Sequence, residues 1–358
     1  MGPARKRESA AQGVVSTTHS WWISCRGLNY LFLIVAAALT TVPSAATTCI
    51  SQGSLKPADL EELTATATPL AGAVAGQNFN LLQASLLSAV VGDWESIRGA
   101  AQAAAPVLKG GQVNWRSVYL LDATDLKAPG DTQFFCTNAD SSLTVTVTLH
   151  SLPQGRYALM LGDLTGSPMA GQLALILGAD PAAGGKWKLG GLFVREGQLE
   201  GHDGIWFWTR ARELAQKNTP WSAWFSYDVA RWLLIPVDFV STPHLEKLNR
   251  EQAQLKANPI DALPLTVTAP PSGSNPAKSW KIIGLHLDTT LHASDIALTY
   301  EGTGLSDPQA ARGEAVAVMS ALLKLHPELR DSFHGLWAYA ETDGKRSYAI
   351  EVPMHDIP

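Results

Sequence analysis

The chain has 358 residues, 46% of them hydrophobic and 16% charged, with 27 Lys and Arg against 32 Asp and Glu for a net charge of −5. That composition excludes an intrinsically disordered chain, which would be poor in apolar residues and highly charged. The acidic balance also removes the electrostatic footprint of a nucleic-acid binder, so no nucleic-acid partner is expected.

The first element in chain order is an apolar run from Leu28 to Leu39, preceded by Arg26 and followed by Val42-Pro43-Ser44-Ala45-Ala46. A basic residue, about a dozen apolar residues and a small-x-small tail match a secretory signal, and the run falls short of the ~20 residues a membrane span needs. Residues 1–46 are therefore read as a signal peptide, and the mature chain as exported, periplasmic or extracellular. An uncleaved leader would instead be an N-terminal membrane anchor, the one membrane contact expected. The segment ahead of the apolar core, with Arg5-Lys6-Arg7, is long for a signal, and Val14, Val15 or Leu28 would serve as alternative bacterial starts. Cys49 follows Ala46-Thr47-Thr48, whereas a lipobox carries Gly, Ala or Ser just before its cysteine, so no lipid anchor is expected.

Removal of the leader takes Cys25 with it and leaves Cys49 and Cys136 as an even pair. In an oxidising compartment the two either bridge or stand as unrelated free thiols. The leader also holds four of the 27 basic and one of the 32 acidic residues, so the mature chain carries 23 against 31, or −8. Its length of about 312 residues suggests two domains or three small ones.

Residues 47–200 read as helices followed by an antiparallel sheet. From Lys56 to Lys109 the chain is rich in Ala and Leu, with Pro57 suited to a first helical turn, Asp93 to an N-cap, and Pro106 with Gly110-Gly111 to a stop. Six β-rich runs follow at hairpin spacing: 118–121, 132–135, 143–149, 157–161, 172–177 and 187–194. Between Leu143 and Leu149 apolar residues alternate with threonines, which predicts one buried and one polar face. The pattern implies helices laid on one curved meander, an α+β arrangement. The segments Ser85–Ile97 and Gly185–Phe193 resemble the opening helix and a closing strand of NTF2-like cone domains, over about 110 residues. That resemblance implies a cone with an apolar pocket at its open end; a β-sandwich with helical decoration is the alternative.

Residues 201–258 return to helical period. Trp221, Trp224, Phe225, Asp228, Trp232 and Ile235 share one face, an aromatic stripe interrupted by Asp228. Phe207, Ala211, Leu214, Ala223, Tyr227 and Ala230 resemble the packing positions of a tetratricopeptide hairpin, with Pro236 one place late. One such repeat is visible, and stacked repeats need at least three. Residues 259–279, with Ala269-Pro270-Pro271 and Ser272-Gly273-Ser274-Asn275-Pro276, read as a linker. Residues 280–358 then run strand, strand, helix, strand, strand, with Asp343-Gly344 as the turn of the last hairpin, a small α+β domain.

Chemistry-bearing motifs are few. Gly184-Gly185-Lys186 precedes Trp187, so it is a turn and no phosphate loop, and neither a Gly-x-Ser-x-Gly elbow nor a His-Glu-x-x-His pair occurs. His286, Asp288, His292 and Asp295 are the metal-ligand candidates: His286 and Asp288 at i and i+2 share a strand face, and His292 and Asp295 follow in the next turn. The alternative is a solvated strand and turn. Trp221, Trp224 and Trp232 offer a binding surface of flat rings, against the reading that their helical spacing buries them between helices. No catalytic residue and no cofactor is assigned.

Three functions remain open. The first is a non-catalytic binding or scaffold protein of the cell envelope, with another envelope protein as partner. The second is a small-molecule or lipid carrier with an NTF2-like pocket. The third is an enzyme whose residues converge only in three dimensions. Taken whole, the chain resembles exported bacterial proteins, a resemblance that supplies no function.

Overall fold

Two of the strand runs are apolar at consecutive positions, Tyr157 to Leu161 and Leu173 to Leu177, and a strand that reads this way is covered on both faces. The structure, a computed structural model, describes residues 47–167, 169–271 and 276–358 and accounts for that pattern. The leader expected over 1–46 lies outside the described residues.

In chain order the first part holds β1 (Thr48–Ser51), α1 (Pro57–Ala75), α2 (Phe79–Ala84), α3 (Trp94–Leu108), β2 (Gln112–Asp122), β3 (Gly130–Thr137), β4 (Thr144–Leu152), β5 (Arg156–Thr165), β6 (Gly171–Asp180) and β7 (Lys186–Glu196). The two-residue strands β8 (Gln198–Leu199) and β9 (His202–Asp203) lead to α4 (Gly204–Gln216), α5 (Pro220–Leu234), β10 (Val240–Ser241) and α6 (Pro243–Ala253). The last part is β11 (Leu265–Ala269), β12 (Lys278–Asp288), β13 (Asp295–Glu301), α7 (Pro308–Leu325), β14 (Gly335–Thr342) and β15 (Lys345–Pro353). The class is α+β.

All six strands expected between 118 and 194 form, but they divide between two sheets. β1-β2-β5-β6-β7 make an antiparallel five-stranded sheet, while the β3–β4 hairpin leaves it and pairs with β10. Helices α1 and α3 cover one face of the larger sheet, over Ala158, Met160, Leu173, Leu175 and Leu177. The smaller sheet covers the other, placing Phe134, Val145 and Val147 against Leu159, Leu161 and Ala174. Three layers bury both faces of β5 and β6, which is why their sequences do not alternate. In β4 the alternation holds, with Val145, Val147 and Leu149 buried and the intervening threonines half-exposed.

Cys49 on β1 and Cys136 on β3 form a disulfide, with Cα atoms 5.1 Å apart. The bond joins the two sheets and replaces the reading of two unrelated thiols.

Caps define the helix starts: Asn78, Asp203, Thr242 and Asp307 each accept a first-turn amide through the side chain. Asp93 occupies the cap position of α3 without making that bond. Pro57 opens α1 and Pro106 sits in the last turn of α3, both as expected.

The segment 259–279, expected as a linker, contains β11, which pairs antiparallel with β12 through Leu265↔Ile282 and Val267↔Trp280. Its threonines and Val267 alternate within a short run between prolines, and pairing outweighs the loop composition around it. The resulting sheet has the order β11-β12-β13-β14-β15, antiparallel except where α7 crosses over between the parallel strands β13 and β14. Asp343 and Gly344 close the last hairpin with φ of 53° and 70°, as a two-residue turn of this kind requires. Helices α4, α5 and α7 share one core with this sheet, in which Phe207, Trp221, Phe225 and Leu233 meet Ile282, Leu298, Tyr300 and Val318. The described residues form one compact unit. Gln172 on β6 donates from Nε2 to the carbonyl of Leu233 at 2.6 Å, and β10 returns the chain to β4.

Candidate functional site

Among the described residues, one group of imidazole and carboxylate side chains lies close enough to share an ion, at the outer face of the C-terminal sheet. Strand alternation places Asp295 and Ala297 of β13, Gly335, Trp337 and Tyr339 of β14, and Glu351 of β15 on that face, opposite the buried Ile296, Leu298, Leu336 and Val352. Gly335 lies between the two carboxylates. A Cβ built there would stand 2.4 Å from Glu351 Oε1 and 3.0 Å from Asp295 Oδ1, so the missing side chain is what lets the carboxylates of flanking strands approach each other.

His334 completes the group. Its backbone amide donates to Ser294 O at 3.0 Å and its ring Nδ1 lies 2.9 Å from Asp295 Oδ1. Asp295, His334 and Glu351 each present one ligand-type atom, all within 4.8 Å of one another. Asp295 is fully buried, whereas the His334 side chain keeps 43% of its exposure and opens the group to solvent. Asp295 Oδ2 and Glu351 Oε1 are buried without a hydrogen-bond partner. The indole of Trp337 lies beside Asp295 and favours its charged form, yet its Nε1 is itself unpartnered.

The electrostatics follow from burial and like charge. Burial, with some help from Asp288, pushes the Asp295 carboxyl above its ordinary range against the pull of His334. Burial and the nearby Asp295 do the same to Glu351. The hydrogen bond to Asp295 raises His334, with Glu351 and Glu200 adding to it. Every charged group acting on the three is a carboxylate or an imidazole, so the site is a negative well with one cationic edge.

The ring of residues around it is ordered. Glu200 Oε1 accepts from both the amide and the hydroxyl of Ser294 at 2.7 Å, and His292 pairs with Glu196. Glu200 and His334 also line a cleft of about 320 Å³ with His202, Trp206, Arg210 and Arg330. Trp206 is 41% exposed and its ring stacks on His202 at 3.8 Å. Arg330 is committed to the C-terminal carbonyls of Met354 and Ile357.

Of the four ligand candidates read from the sequence, Asp295 alone belongs to this group. His286 stacks on Tyr339, Asp288 accepts from Tyr339 OH at 3.3 Å and from the Thr290 amide, and His292 turns toward Glu196. The i, i+2 argument placed His286 and Asp288 on one face, but the partners Asp295 requires come from two strands further on. His334 and Glu351 carry no sequence signal beyond residue type.

The three tryptophans read as a candidate surface differ in burial. Trp221 is 5% exposed and stacks on His326 at 3.5 Å, and Trp224 and Trp232 pack partly buried against the same core, with Arg195 over the Trp232 ring. Beside them, Glu251 on α6 accepts from Arg212, Trp208 Nε1 and Tyr227 OH and so ties α6 to both helices of the hairpin. The bond from Arg212 holds the Glu251 carboxyl low, while burial pushes Tyr227 up to about 12.

No family model, curated protein or solved structure shows significant similarity to the chain.

Proposed function

We propose that this protein is an exported, non-catalytic binding protein of the cell envelope. The observation that carries the reading is the Cys49–Cys136 disulfide, which ties the first strand after the leader to the second sheet across a sequence separation of 87 residues. Such a bond persists in oxidising compartments and is reduced in the cytosol of most cells. The leader's composition supports the same address independently. The binding half of the reading rests on the cleft beside Trp206, where an exposed ring, Arg210 and Glu200 offer a flat contact surface with both charges at its rim. Its non-catalytic half rests on a sequence without a nucleophile elbow, zinc-protease motif or phosphate loop.

The test is thiol trapping on the chain recovered from intact cells with a maleimide that adds mass, together with the mass of its N-terminus. An exported protein gives no labelling before reduction, two labelled thiols after it, and an N-terminus near Thr47. Free Cys49 and Cys136 in the freshly trapped chain, or retention with the cytosolic fraction, would sink the proposal.

A further inference from the structure

We propose that Asp295, His334 and Glu351 bind a divalent transition-metal ion of the zinc class. The inference rests on no part of the export reading and stands on the geometry of the C-terminal sheet.

Three observations point to a cation. Asp295 is completely buried, and its Oδ2 and the Oε1 of Glu351 are sequestered from water with no donor to satisfy them. A carboxylate oxygen left in that state is costly unless a proton or a metal ion occupies the space before it. Gly335 has no Cβ to hold the two carboxylates apart, so Glu351 Oε1 and Asp295 Oδ1 converge from the flanking strands, as two ligands of one ion must. The charged groups that act on the three from outside, Glu200, Asp288 and Asp356, are acidic, while Arg210 and Arg330 line the neighbouring cleft; with Asp295 and Glu351 the acidic groups make a local potential that draws a cation.

The donor set narrows the class. One imidazole nitrogen with two carboxylates suits zinc and its neighbours better than calcium, which takes six to eight oxygens. The ligand atoms lie within 4.8 Å of one another, and tetrahedral zinc with bonds of about 2.0–2.2 Å draws them closer still. On binding, the ion takes the place of the proton between His334 Nδ1 and Asp295 Oδ1: an imidazolium releases that proton as H⁺ and keeps the one on Nε2, so a neutral imidazole and two carboxylates meet one divalent cation. Glu200 holds Ser294, the residue that leads into β13 and Asp295, so the site is partly built before the ion arrives. His334 is the one of the three that lines the cleft, and its exposed edge provides the entry path.

The experiment is zinc titration of the full chain after chelator treatment, read by competition with a chromophoric chelator and by thermal melting. The expected result is one zinc per chain, a higher melting temperature, and at least a ten-fold weakening in Asp295→Asn, Glu351→Gln and His334→Gln. His150→Ala, at an exposed histidine paired only with Asp131, serves as the control and should bind as the parent does. Because the buried Asp295→Asn variant is the one most exposed to misfolding, His334→Gln at a half-exposed position keeps the test decisive. X-ray absorption of the loaded protein should report a mixed nitrogen and oxygen shell. Failure of the parent chain to bind zinc, or binding that survives all three substitutions, would overturn the proposal. So would a metal-free Asp295→Asn chain that is more stable than the parent when the parent takes up no zinc, since the carboxylates would then be sharing a proton.

Discussion

Glu251 and Glu314 show how far a single residue escapes its sequence context. Each sits on a helix and is the acceptor of a converging network: Arg212, Trp208 and Tyr227 for Glu251, Lys278 and Thr303 for Glu314. Removing Glu251 strands the Arg212 and Trp208 donors in a half-buried seam, so Glu251→Ala should lower unfolding stability by about 1–3 kcal/mol in denaturant melts. Glu314 has a side chain only 4% exposed, and burial would raise its carboxyl; the bonds from Lys278 and Thr303 outweigh that and leave it lowered. A carboxyl held lower in the folded state than in the unfolded chain stabilises above the ordinary carboxylate range and loses that contribution as pH falls through its folded pKa. The melting difference between the parent and Glu314→Gln should therefore be largest near neutrality and shrink on acidification. A difference independent of pH would contradict the assignment.

At the scale of elements, the disulfide and the aromatic helix make opposite points about what pattern can tell. Cysteine count in the chain expected without its leader points to the Cys49–Cys136 pair, and the bond joins β1 to β3 across two sheets. Closing so long a loop contributes up to about 4 kcal/mol in the chain-entropy account, so Cys49→Ser with Cys136→Ser should lower the denaturant midpoint by a corresponding amount, as should reductant added to the parent. The Trp221 stripe had two readings, core or surface, and helical periodicity leaned toward core. The structure stacks the Trp221 ring of α5 on His326, while Trp206 of α4, outside the stripe, is 41% exposed. Trp221→Ala should cost about 3–5 kcal/mol, whereas Trp206→Ala should leave the melt nearly unchanged. Strand β11 was missed because five residues flanked by prolines carry too little pattern to outvote the loop composition around them.

For the whole molecule, the question is how many cooperative units the two cores make. Residues 47–200 resemble a domain by pattern, yet the smaller sheet is completed by β10, and Val237 and Val240 fill the core between the sheets. The hydrogen bond from Gln172 to Leu233 stitches the same boundary from the other side. A fragment 47–200 should accordingly melt broadly and bind an apolar dye, while the whole chain should show one calorimetric transition. Two well-separated transitions in the whole chain, with a sharply folding fragment, would refute this.

By itself the sequence determined the α+β class, the six strands of the first part, the helical hairpin, the strand-strand-helix-strand-strand order of the last part and the Asp343-Gly344 turn. These depend on local period, caps and turn residues, and such signals act within a few positions along the chain. It also narrowed the cysteines to the pair that bonds. Only the tertiary structure decided the split of the strands into two sheets, the sharing of one core by the hairpin and the C-terminal sheet, and the partners of Asp295. His334 and Glu351 stand 39 and 56 positions beyond it. They reach it because a crossover helix lays β14 beside β13, a hairpin adds β15, and a glycine at 335 leaves the gap in which the three side chains meet. No local pattern encodes that convergence, since it is set by strand order and register, which are fixed only when the sheet closes on its core.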